Sequence, residues 1–221
     1  MKRHLLFLTV AALGIIGCSE TDDAPEIDGG RYSTCFIQDY VEAEKITAFA
    51  DNESGMGFVA EGTLIDGTLL ASTYGDTGFN SHIAPHSTQV IANQFISMEL
   101  VCDSDYDDQH KAGSSLADIV FLAGASPRDF IRSGYLSSFD WNLAPEFYVG
   151  NRSFASYHAK YAPVYLRLSE IDGDSLMLLD PRFFLVFTTP PTSGAAHSFT
   201  LTITDNKGKE IRLAFDWTGK S

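Results

Sequence analysis

The strongest constraint on the fold lies at the end of the chain, where two runs alternate between apolar and polar side chains. Residues 199–204 are FTLTIT, residues 211–217 are IRLAFDW, and DNKGK lies between them. A period of two places every second side chain on the same face of an extended strand. Two such runs on either side of a glycine-bearing turn predict a β-hairpin with one buried face.

The segments before this hairpin also have strand patterns. FFLVF at 183–187 is continuously apolar, which predicts a strand buried on both faces that ends before Pro190-Pro191. VYLRL at 164–168 alternates, and the DGD turn at 172–174 leads into SLMLL at 175–179. The C-terminal half is therefore predicted to be a meander of antiparallel strands.

Weaker strand patterns cover the first half of the chain. Strands are expected over 32–37, 40–49, 62–72 with a turn at Asp66-Gly67, and 90–102. Many short strands with few helices are typical of a β-sandwich. We predict a mainly β fold, an antiparallel immunoglobulin-like β-sandwich with one or two short helices.

Two short helices are expected to interrupt the strands. In AGSSLADIVFLAG, Ser115 and Asp118 form a capping-box pattern ahead of apolar residues. In SPRDFIRSG, Ser126 is the expected cap, Pro127 the first helical residue, and Asp129 suits the positive end of the helix dipole.

The start of the chain has the pattern of a secretory signal. Lys2 and Arg3 precede an almost entirely apolar stretch at 5–16. That stretch is too short to cross a bilayer core comfortably, which takes about 20 apolar residues as a helix. Residues 1–17 are therefore predicted to be a signal peptide.

The sequence Ile15-Ile16-Gly17-Cys18 resembles the lipobox of bacterial lipoproteins. The resemblance implies that Cys18 becomes the first mature residue and carries diacylglycerol on its sulfur, so that the lipid holds the protein on a membrane. Several acyl chains anchor stably, whereas one binds only marginally. Residues 18–30, rich in acids and glycine, are predicted to be a flexible tether, and residues 31–221 a single β-sandwich domain.

The acids after Cys18, in the sequence SETDD at 19–23, resemble the export tag that sends lipoproteins of one Gram-negative phylum to the cell surface. The resemblance implies an outer-membrane lipoprotein exposed on the surface. The periplasmic leaflet is the alternative.

The charge of the chain restricts its partners. The full sequence has 15 Lys and Arg against 29 Asp and Glu, a net charge of −14, and removal of residues 1–17 deletes two basic residues and no acid. Nucleic-acid binding requires a basic face, so nucleic acid is not expected as a partner of such an acidic chain.

The two remaining cysteines, Cys35 and Cys102, could form a disulfide, because an exported chain permits one. Two buried free thiols are the alternative, since two isolated cysteines carry no spacing signature.

Two groups of residues contain side chains that commonly bind metal ions, although neither group matches a complete metal-binding motif. Asp103, Asp105 and Asp107 alternate directly after a strand, as calcium ligands do, but the segment lacks the glycine and glutamate of an EF-hand loop. A solvated acidic loop is the alternative, and no cofactor other than calcium is suggested. His82 and His86 have a zinc-like spacing, but Pro85 favours a loop with exposed histidines.

Aromatic residues are concentrated at 130–165. Exposed aromatic faces hold sugars and anchor protein interfaces, whereas core packing under a long connection is the ordinary alternative. The candidate ligand-binding residues are Trp141, Tyr148 and Tyr157 with Asp140 and Asn142.

The chain resembles a family of uncharacterised bacterial outer-membrane lipoproteins of about 200 residues in three segments, AGSSLADI, FFLVFTTPP and SFTLTI. The resemblance implies a fold and a location but no reaction.

The sequence lacks the G-x-S-x-G motif of a hydrolase nucleophile around Ser114 and Ser126. The leading hypothesis is therefore a non-enzymatic envelope lipoprotein that binds a glycan or a protein. The alternatives are a surface hydrolase acting on polysaccharide or ester and a purely structural envelope component.

Overall fold

The computed structural model describes residues 33–52, 55–80, 88–150, 160–192 and 196–218. In these residues the chain forms nine β-strands and three short α-helices. The strands are β1 (Asp39–Asn52), β2 (Gly55–Asp66), β3 (Gln89–Ile91), β4 (Phe95–Cys102), β5 (Val120–Ser126), β6 (Ala162–Arg167), β7 (Arg182–Phe187), β8 (His197–Asp205) and β9 (Glu210–Trp217). The helices are α1 (Gly67–Tyr74), α2 (Arg128–Arg132) and α3 (Glu146–Gly150).

The strands form two sheets. The larger has the order β3-β1-β2-β7-β5-β6, and the smaller has the order β4-β8-β9. All pairs are antiparallel except β1 and β3, which are parallel, with Tyr40 opposite Val90. The sandwich is therefore antiparallel apart from this edge, where the three-residue strand β3 runs parallel to β1.

The two sheets pack face to face over one apolar core. Phe58 of the larger sheet meets Phe215 of the smaller with ring centroids 5.0 Å apart. Leu100, Leu201 and Leu185 are buried in the same core cluster. The mainly β sandwich is therefore confirmed, whereas immunoglobulin-like packing stays a prediction.

The strongest sequence patterns correspond to observed strands. Residues 199–204 pair with 210–215 in the β8–β9 hairpin, with Leu201 opposite Leu213. In β7, Phe183 and Leu185 face the core between the sheets, while Phe184 and Val186 belong to a separate cluster on the opposite face. The prediction that this strand is buried on both faces is confirmed.

The predicted helix at AGSSLADIVFLAG was wrong. Ser115 forms a bridge with Val101, and the next residues make a turn. From Val120 the chain enters β5, which pairs with both β6 and β7. Backbone hydrogen bonds to two neighbouring strands outweigh the local capping pattern. The second predicted helix is present as α2, where Ser126 Oγ accepts a hydrogen bond from the N–H of Arg128 at 3.1 Å.

Other strand predictions need correction. Residues 33–37 form no regular strand, 67–72 belong to α1, and 90–102 divides between β3 and β4, which lie in different sheets. Residues 175–178 form turns. The C-terminal half is not a meander, because β7 inserts between β2 and β5 and β8 pairs with β4. Among the described residues no helix has the length and apolarity to cross a membrane.

Candidate ligand-binding cleft

A cleft of about 380 Å³ opens beside α1, where the β3–β4 connection and the turn of the β8–β9 hairpin meet. One wall comes from α1 and the end of β2, and the other from residues 92–94 and 205–207. The cleft therefore lies at one end of the two sheets and is built by segments far apart in sequence.

The apolar wall of the cleft is held rigid by α1. Asp66 caps this helix by accepting a hydrogen bond from the N–H of Thr68 at 2.9 Å. A Cβ on Gly67 would lie 2.0 Å from the carbonyl oxygen of Ile37, so only glycine permits the helix to start this close to residues 37–38. Leu70 and Tyr74, four residues apart in α1, both line the cleft.

Tyr74 is fixed at both ends of its side chain. Its hydroxyl donates a hydrogen bond to the carbonyl oxygen of Ala92 at 2.8 Å. Its ring stacks on that of Tyr40, with centroids 5.2 Å apart and planes 18° apart. Because Tyr40 is fully buried, the aromatic part of the wall rests on the core.

The polar wall is a network of amide side chains. Asn93 accepts a hydrogen bond from the N–H of Ala43 at 2.6 Å and donates to Asp205 at 3.3 Å. Gln94 accepts from the amide of Asn206 at 2.8 Å. These contacts connect the two sheets and leave the amides preorganised.

Asp205 is the buried charge of this wall, with only 3% of its surface exposed. Burial opposes its ionisation, but the N–H groups of Lys209 and Lys207, both 2.9 Å from Oδ1, and the Asn93 amide hold its pKa below the ordinary value. The carboxylate is therefore ionised at neutral pH.

Three polar side chains at the rim, Glu42, Thr73 and Lys207, line the cleft and are exposed. Within the part of the chain that the structure describes, no side-chain hydrogen bond or ion pair engages them. A carboxylate, a hydroxyl and an ammonium group are therefore available to a ligand in the cleft.

The predicted aromatic site does not form an exposed platform. Tyr148 is buried, and its hydroxyl is 2.8 Å from the carbonyl oxygens of both Gly124 and Val164. Trp141 is half-buried, with its ring 5.6 Å from that of Tyr148. Because burial of these rings covers one face of the larger sheet, Tyr148 serves the core.

Asp140 and Asn142, the polar residues of the predicted aromatic site, bond to each other within one turn. Asp140 accepts hydrogen bonds from the backbone N–H of Asn142 at 3.0 Å and from its side-chain amide at 2.8 Å. This contact caps the short 3₁₀ turn at Trp141–Leu143. Tyr157, the remaining member of the predicted site, lies outside the described residues.

The predicted disulfide between Cys35 and Cys102 is not formed, because both thiols are free and buried. Cys35 donates a hydrogen bond to the carbonyl oxygen of Ile37 at 3.3 Å. Cys102 lies in the core between the sheets, 3.5 Å from Nδ1 of His197. Each sulfur thus has its own partners.

The acidic loop turns its carboxylates toward its own residues. Asp105 accepts a hydrogen bond from the N–H of Ala112 at 3.0 Å and pairs with Lys111 at 3.2 Å. Asp107 contacts His110 at 2.9 Å, whereas Asp103 is exposed. Across the described residues no three His, Cys, Asp or Glu side chains are grouped so that they could hold a metal ion.

Several predicted features lie outside the described residues. They are Cys18 with the signal peptide and the tether, and the histidines at 82 and 86. The sequence reasoning also missed the cleft. Its one local signal was the polar pair Asn93-Gln94, which interrupts the apolar pattern of 90–102.

The chain matches no protein-family model, no curated protein and no solved structure. The resemblance to a lipoprotein family therefore stays a prediction.

Proposed function

We propose that this protein is a lipid-anchored component of the bacterial cell envelope that binds a short glycan in the cleft beside α1. The observation that carries the proposal is the pairing of a rigid apolar wall with three polar side chains at the rim that make no side-chain hydrogen bond or ion pair within the described residues. A binding role is the function that this lining supports best, because an apolar wall and polar rim side chains can together hold and orient a ligand.

The chemistry of the cleft suits a sugar. One face of a pyranose ring is apolar and packs against walls such as those of Leu70, Tyr74 and Met177. Sugar hydroxyls both donate and accept hydrogen bonds, so they match the carboxylate of Glu42 and the ammonium of Lys207 at once. The volume of about 380 Å³ is at the lower end of the range for small-molecule sites, which favours one or two sugar units.

The location is part of the same proposal. A lipid on Cys18 would hold the domain at the outer membrane, and residues 18–30 would let it reach away from the surface. Mass spectrometry of the mature N-terminus tests this step. A diacylglyceryl modification on Cys18 is expected, and an unmodified thiol would contradict the anchor.

Glycan binding is tested by probing an array of mono- and oligosaccharides with the full chain in non-ionic detergent. The variants E42Q, T73V and K207M change the rim, and E44Q is the matched control because Glu44 contacts Thr63 on the exposed surface instead. We expect each rim variant to weaken binding by about tenfold and E44Q to bind like the wild type.

Two outcomes would contradict the cleft as the site. One is binding that all three rim variants leave unchanged. The other is a protein that binds no glycan but co-purifies with other envelope proteins, which would favour the purely structural role.

A second candidate function, ester hydrolysis, is favoured by one contact. Oγ of Ser104, on an exposed turn, lies 2.8 Å from Nδ1 of His197. A hydroxyl within hydrogen-bond distance of an imidazole is the minimal arrangement of a nucleophile and its base. Hydrolysis of p-nitrophenyl acetate that the S104A variant loses would support this reading, and equal rates in both proteins would exclude it.

A further inference from the structure

Three phenylalanine rings that belong to one apolar cluster form a cage. The ring centroids of Phe36 and Phe130 are 5.0 Å apart, those of Phe36 and Phe79 are 5.3 Å apart, and those of Phe79 and Phe130 are 6.5 Å apart. The planes are inclined to one another by 66° to 75°. The rings therefore pack edge to face instead of in one stack, and those of Phe36 and Phe130 are largely buried, with 5% and 7% of their surface exposed.

The ammonium group of Lys160 sits over this cage. Its Nζ is 5.4 Å from the centroid of Phe36 and 5.5 Å from the centroids of both Phe79 and Phe130. All three distances are within the range of about 6 Å in which a cation is attracted by the ring quadrupole. Nζ is thus almost equally distant from three rings, as expected for a cation held by all of them.

No carboxylate among the described residues pairs with Lys160, which is exposed to solvent. The rings alone therefore provide the described attraction for its charge. A lysine that only covered apolar surface would lay its methylene stem on the rings and keep its charged end in water. Here the charged end itself is centred on the rings.

A buried side chain, Asp76, holds the residues that form the cage. Asp76, with none of its surface exposed, accepts hydrogen bonds at 2.8 Å from the N–H of Phe36 and the hydroxyl of Tyr135. The Tyr135 ring in turn lies 5.3 Å from Phe79 and 5.5 Å from Phe130. Asp76 therefore holds the backbone of Phe36 and, through Tyr135, supports the rings of Phe79 and Phe130.

We propose that the cage of Phe36, Phe79 and Phe130 is a binding site for an alkylammonium group, and that Lys160 is an internal ligand that competes for it. Rings in this arrangement favour quaternary ammonium groups, because methyl groups spread the positive charge over a surface that the rings can contact. The net charge of −14 raises the local concentration of such cations. This site is separate from the glycan cleft, and neither proposal depends on the other.

Removal of Lys160 tests the competition. Tetramethylammonium chloride is titrated into the full chain in non-ionic detergent, and the upfield ring-current shift of its methyl protons is followed by NMR. We expect the K160A variant to bind it about tenfold more tightly than the wild type. The control K45A, which removes an exposed lysine paired with Glu61, is expected to bind like the wild type.

Two further measurements separate cation binding from simple apolar binding. Choline is expected to bind K160A at least about tenfold more tightly than its neutral isostere 3,3-dimethylbutan-1-ol. The double variant K160A/F79L is expected to lose the binding of both tetramethylammonium and choline.

The opposite results would overturn the proposal. They are K160A binding no tighter than the wild type, or equal binding of choline and its neutral isostere. If K160A does not fold, the Hε protons of Lys160 in the wild type give the answer. Tetramethylammonium is expected to displace them downfield out of the ring currents, and an unchanged shift at saturation would also overturn the proposal.

Discussion

The ring of Phe187 in the larger sheet stacks on the ring of Trp217 in the smaller sheet, with centroids 4.1 Å apart and planes 11° apart. Both side chains are buried in the core between the sheets. Since Trp217 ends the last strand, this stack closes one end of the sandwich.

Replacement of Trp217 by alanine is therefore expected to lower the free energy of unfolding by about 3 to 5 kcal/mol, because it removes a large buried ring and leaves a cavity. Urea denaturation followed by circular dichroism measures the change. W141A is the matched control, since Trp141 is only half-buried, and it is expected to cost less. An equal loss in the two variants would contradict the role of the stack.

Removal of each of two buried tyrosine hydroxyls is expected to have a different effect on the stability of the protein. Oη of Tyr40 has no hydrogen-bond partner among the described residues, whereas Oη of Tyr148 lies 2.8 Å from two carbonyl oxygens. Y40F is expected to leave stability unchanged or raise it by up to about 1 kcal/mol, and Y148F to lower it by about 1 kcal/mol. Thermal unfolding of both variants checks the difference. A loss in Y40F as large as in Y148F would reveal a missing partner for Tyr40.

The carboxylate of Asp76 is expected to be essential for folding of residues 33–38. It accepts hydrogen bonds from the N–H groups of Phe36 and Ile37 and from the hydroxyl of Tyr135, each at 2.8 Å. D76N places an amide N–H₂ against these donors and is expected to cost about 3 kcal/mol or more.

Y135F is the milder companion to D76N. It removes one of the three donors and is expected to cost about 1 to 2 kcal/mol. Urea denaturation ranks the two variants, and a D76N protein as stable as Y135F would show that the backbone donors do not depend on the carboxylate.

The stability of the acidic loop is expected to depend on pH through His110. Nδ1 of His110 lies 2.9 Å from Asp107 and Nε2 lies 3.1 Å from Asp118. The pKa of His110 is raised above its ordinary value of 6.5, mainly by the hydrogen bond to Asp107. Burial of the ring lowers the pKa, and the hydrogen bond to Asp118 raises it further. A protonated ring donates to both carboxylates, and a neutral ring to only one.

Because the folded-state pKa is the higher one, the stabilisation is complete below about 6.5 and is lost as the pH rises through the folded-state pKa. The difference in unfolding free energy between the wild type and H110Q is therefore expected to be about 1 to 3 kcal/mol at pH 5.5 and smaller at pH 8.5. Asp108 does not contact His110, so D108N should show the pH dependence of the wild type. A difference between wild type and H110Q that stays constant with pH would contradict the charged bridge.

The secondary structure of segments with a strong apolar pattern was predictable, because the geometry of an extended strand itself produces that pattern. Alternation along 199–204 and the apolar run at 183–187 reflect side chains that project to opposite faces of an extended chain. The segment 113–124 was mispredicted because its capping pattern is local, whereas its strand depends on β6 and β7.

The cleft could not be predicted for a related reason. Glu42, Thr73 and Lys207 come from three segments separated by more than thirty residues each, and nothing local relates them. The aromatic cluster at 130–165 was conspicuous in the sequence, but burial against the larger sheet converts Tyr148 into a core residue. Composition indicates which side chains are available, and packing decides which of them face solvent.

The sequence by itself determined the hairpin at the end of the chain, the buried central strand and the mainly β class, because these depend on the two-residue period of an extended backbone. The tertiary structure decided that β7 lies between β2 and β5, that the two thiols stay apart and that a cleft beside α1 and a separate aromatic cage form. Those features depend on contacts between distant segments, whose free energy no local pattern records.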